Sequence, residues 1–521
     1  MLFKNYTYIF VIIFYSFIIN WYSANIGFLH IDTFGFFDTG YNILNGQLPI
    51  RDYWAYTGLI VDYFQSFFFF IFGNNWNSYV IHGSIINVLI TLVFYFFLKH
   101  LKISKNFCLF YCLSFATLHY PVSGTPYAYL HAYTFSLIGI MLFFIFNNTK
   151  QNKFLFFIPL IFFLAFFSMQ TPTIYIIFLI IILMIFTIIR DKDYIVLKQF
   201  TIGAFAAIIT ITIYLLVSKT NFTDFLYQYF LFPITIAESR VSGDVGAYVK
   251  LTDQLNFKRI FGDFKFIHFF LFPLIYLQFV KFKNNETDNV FYISTFFIFC
   301  TILFIYNQLL QANQIYIFSL IPILASLLHK NLKFGDNNKK FLCLGTIFLI
   351  LFVSIKFHIR FNIDRKFIDL ENIDKKQSIN ANEIHEKLNN LKWVSRYTDP
   401  EEDKLFIRKV IETLDNENEK SYIITHYNFF STILDKNFFV LNRWYIWDNN
   451  SHPTENHKYF PYYKNFVTEN LKKKNVKIIY LINETEEMKF SNIKNYFGER
   501  CFDQTNIIGE KFVKLTLKKC I

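Results

Sequence analysis

The sequence predicts a polytopic, all-α membrane domain of about eleven spans, followed by a small soluble α/β domain. Of the 521 residues, 54% are hydrophobic and 21% are aromatic, and 72 are Phe. This composition excludes an ordinary soluble enzyme and a disordered chain. Residues 1–357 carry 37 of the 88 Lys, Arg, Asp and Glu side chains, and residues 358–521 carry the other 51. We therefore predict a membrane-embedded domain over 1–357 and an extracytoplasmic domain over 358–521.

Each predicted span is an apolar run close to the roughly 20 residues that a helix needs to cross a bilayer. The runs lie near residues 6–22, 78–98, 105–120, 129–147, 154–168, 172–190, 199–217, 266–281, 289–307, 314–329 and 341–357. With a cytoplasmic N-terminus, every second connecting loop carries Lys or Arg, and the short loops between them carry none. The positive-inside rule thus predicts an integral protein of the plasma (bacterial inner) membrane, with the C-terminal domain outside.

Two predicted outer loops, 23–77 and 218–265, are long enough to carry structure or function of their own. They contain nine of the fourteen acidic residues in 1–357, whereas no acid falls inside a predicted span. Ion-coupled transporters usually keep ionisable groups at membrane depth, so this distribution disfavours them. Within the first loop, 64–73 is apolar but too short to span, which predicts an interfacial helix.

The C-terminal part alternates helical and strand patterns, which predicts an α/β arrangement. Helical spacing covers 381–393, 401–415 and 463–474, and strand patterns cover 421–425, 477–482 and 512–517. The net charge of +12 resides mostly in short loops between apolar runs, so no nucleic-acid partner is predicted. No metal-ligand spacing, phosphate loop or nucleophile elbow is present.

Asp38 is the candidate catalytic residue, because it opens a short predicted helix in the first outer loop. An acid at this position is favoured by the helix dipole, so a capping role is one reading. The other reading is a carboxylate at the membrane surface that accepts a proton from a hydroxyl or holds a metal. A lipid phosphate leaving group would also need cations, and Arg51 and Arg240 are available. A structural ion pair of Arg240 with Glu238 is the alternative for that residue.

Two candidates lie near the outer ends of predicted spans. His131 can donate to a phosphate or a sugar, although a histidine satisfied by helix-end backbone explains it equally well. Gln170 can contact a sugar, and hydrogen bonding between helices is the equal alternative.

The first loop carries a pattern that resembles a known superfamily. A single span is followed by Asp38 at a helix start and then by Gly46-x-x-Pro49-x-Arg51-Asp52-Tyr53-Trp54. This order is similar to that of the GT-C superfamily of polytopic glycosyltransferases, which includes the protein O-mannosyltransferases and the aminoarabinose transferases of lipid A. The resemblance continues at Gly124-Thr-Pro-Tyr127, Ser168-Met-Gln170-Thr-Pro172 and Asn307-Gln308.

The resemblance implies a GT-C-like fold with interfacial helices in the first outer loop. It also implies transfer of a sugar from a polyprenyl-phosphate-linked donor in the membrane lipid to a glycan, lipid or protein acceptor outside. Asp38 matches the superfamily's base or metal ligand. Arg51, Asp52, His131, Gln170 and Arg240 are the candidate substrate-binding residues.

The chain departs from the superfamily at three places, one of which is Met169, where the loop after the fifth span often holds a Lys beside the Gln. Many members carry Glu directly after the first-loop acid, where this chain has Thr39, and an acid in the second outer loop, where this chain has none. No cofactor is therefore assigned, and a divalent metal at Asp38 stays open. The alternative functions are a flippase or exporter of a lipid-linked saccharide, a polysaccharide polymerase or ligase, and a membrane part without activity whose C-terminal domain binds a partner.

Overall fold

The computed structural model describes residues 2–243, 250–313, 315–332, 340–446, 449–483, 496 and 501–518, with 2–5, 340 and 343 described by backbone alone. The chain divides by contact into two compact units. We call Met1–Asn25, Val80–Thr212 and Leu251–Asn372 the helical unit. We call Ile26–Tyr79, Ile213–Lys250 and Ile373–Ile521 the loop unit.

The helical unit is built from long apolar helices. Its α-helices are Leu2–Ala24, Trp76–His100, Lys105–Leu118, Ala128–Asn148, Phe157–Ser168, Gln170–Asp191, Tyr194–Ser218, Leu251–Gln254, Lys265–Lys283, Asn289–Leu310, Leu320–Leu332 and Lys340–Phe357. Two of them, Trp76–His100 and Tyr194–Ser218, extend into the loop unit at one end. In the described residues, eight helices are long and apolar enough to cross a membrane. The chain is therefore an integral membrane protein.

Every predicted span overlaps one of these helices, although the helix in the span over 314–329 begins only at Leu320. Three of the spans correspond to shorter apolar segments, Lys105–Leu118, Asn152–Ser168 and Leu320–Leu332. Their length is below the roughly 20 residues of a straight crossing. The predicted total of eleven spans, and the orientation that follows from it, stay predictions.

Buried polar side chains join the helical unit's segments at the end of the first helix. Asn20 Nδ2 donates to Ser84 Oγ at 3.1 Å. The Arg365 guanidinium is 1% exposed and donates to the Ser123 carbonyl at 3.0 Å and to Ser23 Oγ. Such bonds satisfy groups whose burial would otherwise cost several kcal/mol.

The loop unit combines short helices with two sheets. Its α-helices are His30–Phe34, Phe37–Leu44, Leu59–Phe72, Phe222–Leu226, Phe232–Ser242, Pro400–Asp415, Phe430–Leu434 and Phe460–Lys474. Its strands are β1 (Ile379–Asn380), β2 (Lys392–Trp393), β3 (Ser421–Ile424), β4 (Ile478–Ile482), β5 (Phe502–Ile508) and β6 (Phe512–Leu517). The larger sheet has the order β3-β4-β6-β5, and only the β3–β4 pair is parallel.

Both predicted outer loops contribute to the core of this sheet. Trp54 from the first loop and Phe232 from the second are buried in the same cluster as Ile479 and Leu515 of the sheet. The Trp54 amide also donates to the Leu441 carbonyl at 2.8 Å. The structure therefore groups 26–79 and 213–250 with 373–521 by contact, and the predicted domain boundary at 357/358 stays a prediction.

Most predicted C-terminal elements are confirmed, but one is wrong. The helices over 401–415 and 463–474 and the strands over 421–425, 477–482 and 512–517 are all present within a few residues. The helix predicted over 381–393 is instead two 3₁₀ turns followed by β2. The backbone there pairs with β1, and the Lys392 carbonyl accepts the Gly27 amide at 3.0 Å. These tertiary bonds outweigh the local helical pattern.

Candidate functional site

The Asp38 carboxylate binds the N-terminus of a helix from the C-terminal part of the chain. Asp38 lies in Phe37–Leu44, but it makes no capping bond to its own helix. Its Oδ1 accepts the Thr432 amide at 2.9 Å and the Thr432 hydroxyl at 2.6 Å. Its Oδ2 accepts the Ser431 amide at 3.2 Å. These amides belong to the first turn of Phe430–Leu434, where helical N–H groups have no intrahelical partner and attract negative charge.

Burial governs the protonation of Asp38, which is 5% exposed. Desolvation raises the pKa of its carboxyl to about 6, although the bonds from Thr432 and Ser431 lower it in part. An ionised carboxylate accepts about four hydrogen bonds, and three of these positions are filled here. These bonds leave one acceptor position on Oδ2 unfilled, in a side chain that is almost fully buried. The role of Asp38 as a base stays a prediction.

The surroundings of Asp38 do not fit a metal ion. Two of its three partners are backbone amides, which complement a carboxylate and cannot ligate a cation. In the described residues, no three His, Cys, Asp or Glu side chains come together as a metal site would require. We therefore assign no metal ion to Asp38.

Arg51 and Asp52 form a charged cluster with Lys474. Arg51 Nη2 lies 2.5 Å from Asp52 Oδ2, and Lys474 Nζ lies 3.8 Å from Asp52 Oδ1. Burial lowers the pKa of Lys474 to about 8, and Asp52 offsets part of that effect. Asp52 also accepts the Leu48 amide at 2.8 Å. It therefore anchors two cations and a backbone turn, and its predicted contact with substrate stays untested.

Arg51 also contacts the end of an apolar helix. Its Nη1 donates to the carbonyl of Ser218 at 2.9 Å. Ser218 is the last residue of Tyr194–Ser218, which is long and apolar enough to cross a membrane. A cation at this end complements the negative pole of the helix. These bonds hold the Arg51 side chain at the end of the apolar helix Tyr194–Ser218.

Arg240 has a different partner from the one weighed in the sequence. It donates to Asn450 Oδ1 at 3.3 Å, while Glu238 lies 3.5 Å from Lys458 Nζ. Among the described salt bridges, none joins Arg240 to Glu238, so the predicted ion pair is not formed.

His131 and Gln170 belong to the helical unit, whereas the other four candidates belong to the loop unit. His131 is fully buried, with Nε2 at 2.9 Å from His82 Nε2 and Nδ1 at 3.0 Å from the Tyr127 carbonyl. Gln170 is partly buried and begins the helix Gln170–Asp191. Among the described hydrogen bonds and ion pairs of the six predicted site residues, one pair is joined directly, Arg51 and Asp52.

Sequence reasoning missed a buried ion pair in the loop unit. Arg443 donates to Asp62 Oδ2 and to the Thr57 carbonyl, and the two charged side chains are 2% and 0% exposed. The Thr39 hydroxyl donates to Asp62 Oδ1 at 2.6 Å. A carboxylate therefore lies beside the Thr39 hydroxyl in space. The sequence signal for this ion pair is Asp62, an acid in the first turn of an apolar helix.

Comparison with known proteins finds similarity among solved structures. No family model matches the chain, and no curated protein matches it. Among solved structures, the chain is similar to the archaeal oligosaccharyltransferase AglB from Archaeoglobus fulgidus, solved in complex with an inhibitory peptide and a dolichol-phosphate. The sequences are 11% identical, the TM-score is 0.47, and the match covers 95% of this chain and 71% of AglB. A likeness at this level carries no argument about the present chain.

Proposed function

We propose that this protein is a membrane-embedded glycosyltransferase of the GT-C type. It transfers a sugar from a polyprenyl-phosphate-linked donor to a glycan, lipid or protein acceptor on the outer face of the membrane. One observation carries the proposal. The first-loop acid Asp38, with its raised pKa, belongs to the same compact unit as Arg51, which contacts the end of an apolar helix. The first-loop motif and the predicted spans without acids support it.

The reaction follows from these groups. The acceptor hydroxyl gives its proton to the remaining acceptor position of Asp38 Oδ2, and its oxygen attacks the anomeric carbon. The bond from that carbon to the phosphate oxygen breaks, and the polyprenyl phosphate leaves with the electron pair. Attack opposite the leaving group inverts the anomeric centre. Arg51 offsets the charge that develops on the phosphate.

The test is sugar transfer by the full chain in liposomes that contain radiolabelled polyprenyl-phospho-sugars. Asp38→Asn should lower the transfer rate by roughly 10²- to 10⁴-fold, the usual contribution of a general base. Thr432→Val leaves the carboxylate in place and removes only one bond to it, so it should retain activity within severalfold at pH 8.

Two outcomes would overturn the proposal. Full activity of a correctly inserted Asp38→Asn protein would remove the proposed base. Movement of the lipid-linked sugar across the bilayer without formation of a new glycosidic bond would identify a flippase instead.

A further inference from the structure

The exposed large apolar side chains of the loop unit are unevenly distributed. Among the described residues of 373–521, two such side chains are exposed, Tyr397 and Leu405. The segment 213–242 is far shorter and carries seven, which are Ile213, Leu216, Val217, Phe222, Phe230, Ile234 and Val241. Single exposed apolar residues are normal on a surface that faces water, whereas a concentration of them marks contact with a protein, a ligand or a membrane.

Residues 222–242 form one continuous helix with a π-helical turn near its centre, and we call it the second-loop helix. One face of this helix is buried, since Tyr229 and Phe232 are 0% exposed and Phe232 belongs to the core of the larger sheet. Another face presents Ile234 and Val241, which are 52% and 54% exposed. These two residues are seven positions apart, so they share one side of the helix. The loop unit therefore leaves an apolar face of the helix uncovered.

The second-loop helix is too polar to cross a membrane. It carries three charged residues, Asp224, Glu238 and Arg240. Asp224 Oδ1 accepts the Tyr462 hydroxyl at 2.5 Å, and the other two contact the C-terminal part of the chain as described above. Such charges disfavour a spanning position. A helix with one apolar face and a charged remainder is instead suited to the boundary between lipid and water.

The chain reaches the second-loop helix directly from an apolar helix. Tyr194–Ser218 is long and apolar enough to cross a membrane, and Leu216 and Val217 near its end are 73% and 79% exposed. On such a helix, exposed apolar side chains face lipid, so the bilayer boundary lies close to its end. Residues 219–221 connect the two helices. Extended chain spans at most roughly 3.6 Å per residue, so the second-loop helix begins within about 15 Å of that boundary.

We propose that the second-loop helix lies on the bilayer surface, with Ile234 and Val241 in contact with phospholipid acyl chains. The leaflet is the one in which Tyr194–Ser218 ends. Lipid is favoured over a protein partner because the exposed apolar surface continues along the chain from the end of an apolar helix of spanning length. The contact is apolar, so a zwitterionic lipid is sufficient for it. This inference does not depend on the proposed glycosyltransferase activity.

The test is photo-crosslinking of the full-length protein in phosphatidylcholine vesicles. Ile234 or Val241 is replaced by the photoreactive residue p-benzoylphenylalanine, and the intact mass is measured after irradiation. Each variant should gain the mass of one phospholipid, because the probe should lie among acyl chains. The matched control is the same replacement at Leu405, an aliphatic residue of the loop unit that is 66% exposed. Its yield of phospholipid adduct should be severalfold lower.

Three results would overturn the inference. The first is a lack of phospholipid adduct in both the Ile234 and the Val241 variants, and the second is an equal yield in the Leu405 control. The third is a cross-linked dimer in place of the lipid adduct, which would identify a second copy of the chain as the occupant of this face. All replaced side chains are exposed, so the variants should fold, and an unchanged elution profile in size-exclusion chromatography checks this. The vesicles contain no sugar donor, so failure of the proposed transfer reaction leaves the result unaffected.

Discussion

Three acids of the first outer loop are nearly or fully buried, yet each is stabilised by a different kind of partner. Asp38 accepts two amides and a hydroxyl, Asp52 is flanked by Arg51 and Lys474, and Asp62 is paired with Arg443. Only Asp38 has no cation among these partners. Desolvation raises the pKa of Asp38 to about 6, and it does the same to Asp62 despite the Arg443 cation. A carboxyl with such a pKa can exchange a proton near neutral pH.

The pH dependence of sugar transfer should reflect the raised pKa of Asp38. A base must be ionised, so activity should fall as the pH drops through about 6, the raised pKa of Asp38. The Thr432 hydroxyl bond lowers this pKa, so Thr432→Val should move the acidic limb of the rate profile to higher pH. Ser431→Ala is the control, because Ser431 contacts Asp38 through its backbone amide. An unshifted limb in Thr432→Val would show that Asp38 does not control the rate.

The buried Asp62–Arg443 pair should matter for stability. Arg443→Met leaves the Asp62 carboxylate buried without a cation, which typically costs about 3–5 kcal/mol. Adding Asp62→Asn to that variant should recover part of the loss, since the uncompensated charge is then removed. The measurement is the free energy of unfolding in detergent. Lys458→Met is the control, because its pair with Glu238 is exposed and worth about 0–1 kcal/mol. Equal losses in the two single variants would contradict the prediction.

At the scale of elements, the helix Leu59–Phe72 divides into two parts. Asp62 and Gln65 near its start are buried, whereas Phe67 and Phe70 near its end are 56% and 79% exposed. The sequence predicted an interfacial helix here from a short apolar run. Large exposed rings on a helix next to spanning segments are expected to enter the outer part of a bilayer.

Fluorescence can test this placement. Phe70→Trp should add emission that is quenched by lipids brominated on their acyl chains, because the ring should lie roughly 5–10 Å below the headgroup boundary. Tyr397→Trp, at an exposed position of the same unit, should add emission that these lipids do not quench. Equal quenching of the two variants would argue against an interfacial helix.

Local patterns predicted most elements but not their partners. Helices over 401–415 and 463–474 and the C-terminal strands follow from periodicity, which depends on neighbouring residues. Periodicity does not reveal that Thr432 donates to Asp38 or that Lys392 pairs with Gly27, because these residues are hundreds of positions apart. The same limit explains the wrong helix over 381–393. For the site, sequence identified Asp38 and Arg51 as candidates but not their environments.

At the scale of the whole molecule, the two predicted outer loops are held by hydrogen bonds and an ion pair from the C-terminal part of the chain. A protein truncated after Asn372 would lose the amides that bind Asp38, the cation that pairs with Asp62 and the Leu441 carbonyl that accepts the Trp54 amide. We expect its loops to be cleaved rapidly by a protease added outside, while the spanning helices stay protected. The full-length protein is the control. Intact transfer by the truncated protein would show instead that the C-terminal part is accessory.

The Asp62–Arg443 contact also limits how early the first loop can form its buried ion pair during synthesis. The two residues are 381 positions apart, and a ribosome adds roughly 5–20 residues per second. Arg443 is therefore synthesised roughly 20–80 s after Asp62, and the ion pair between them cannot form before then. The first loop can therefore complete its buried ion pair only after Arg443 has been synthesised, however early its own residues emerge.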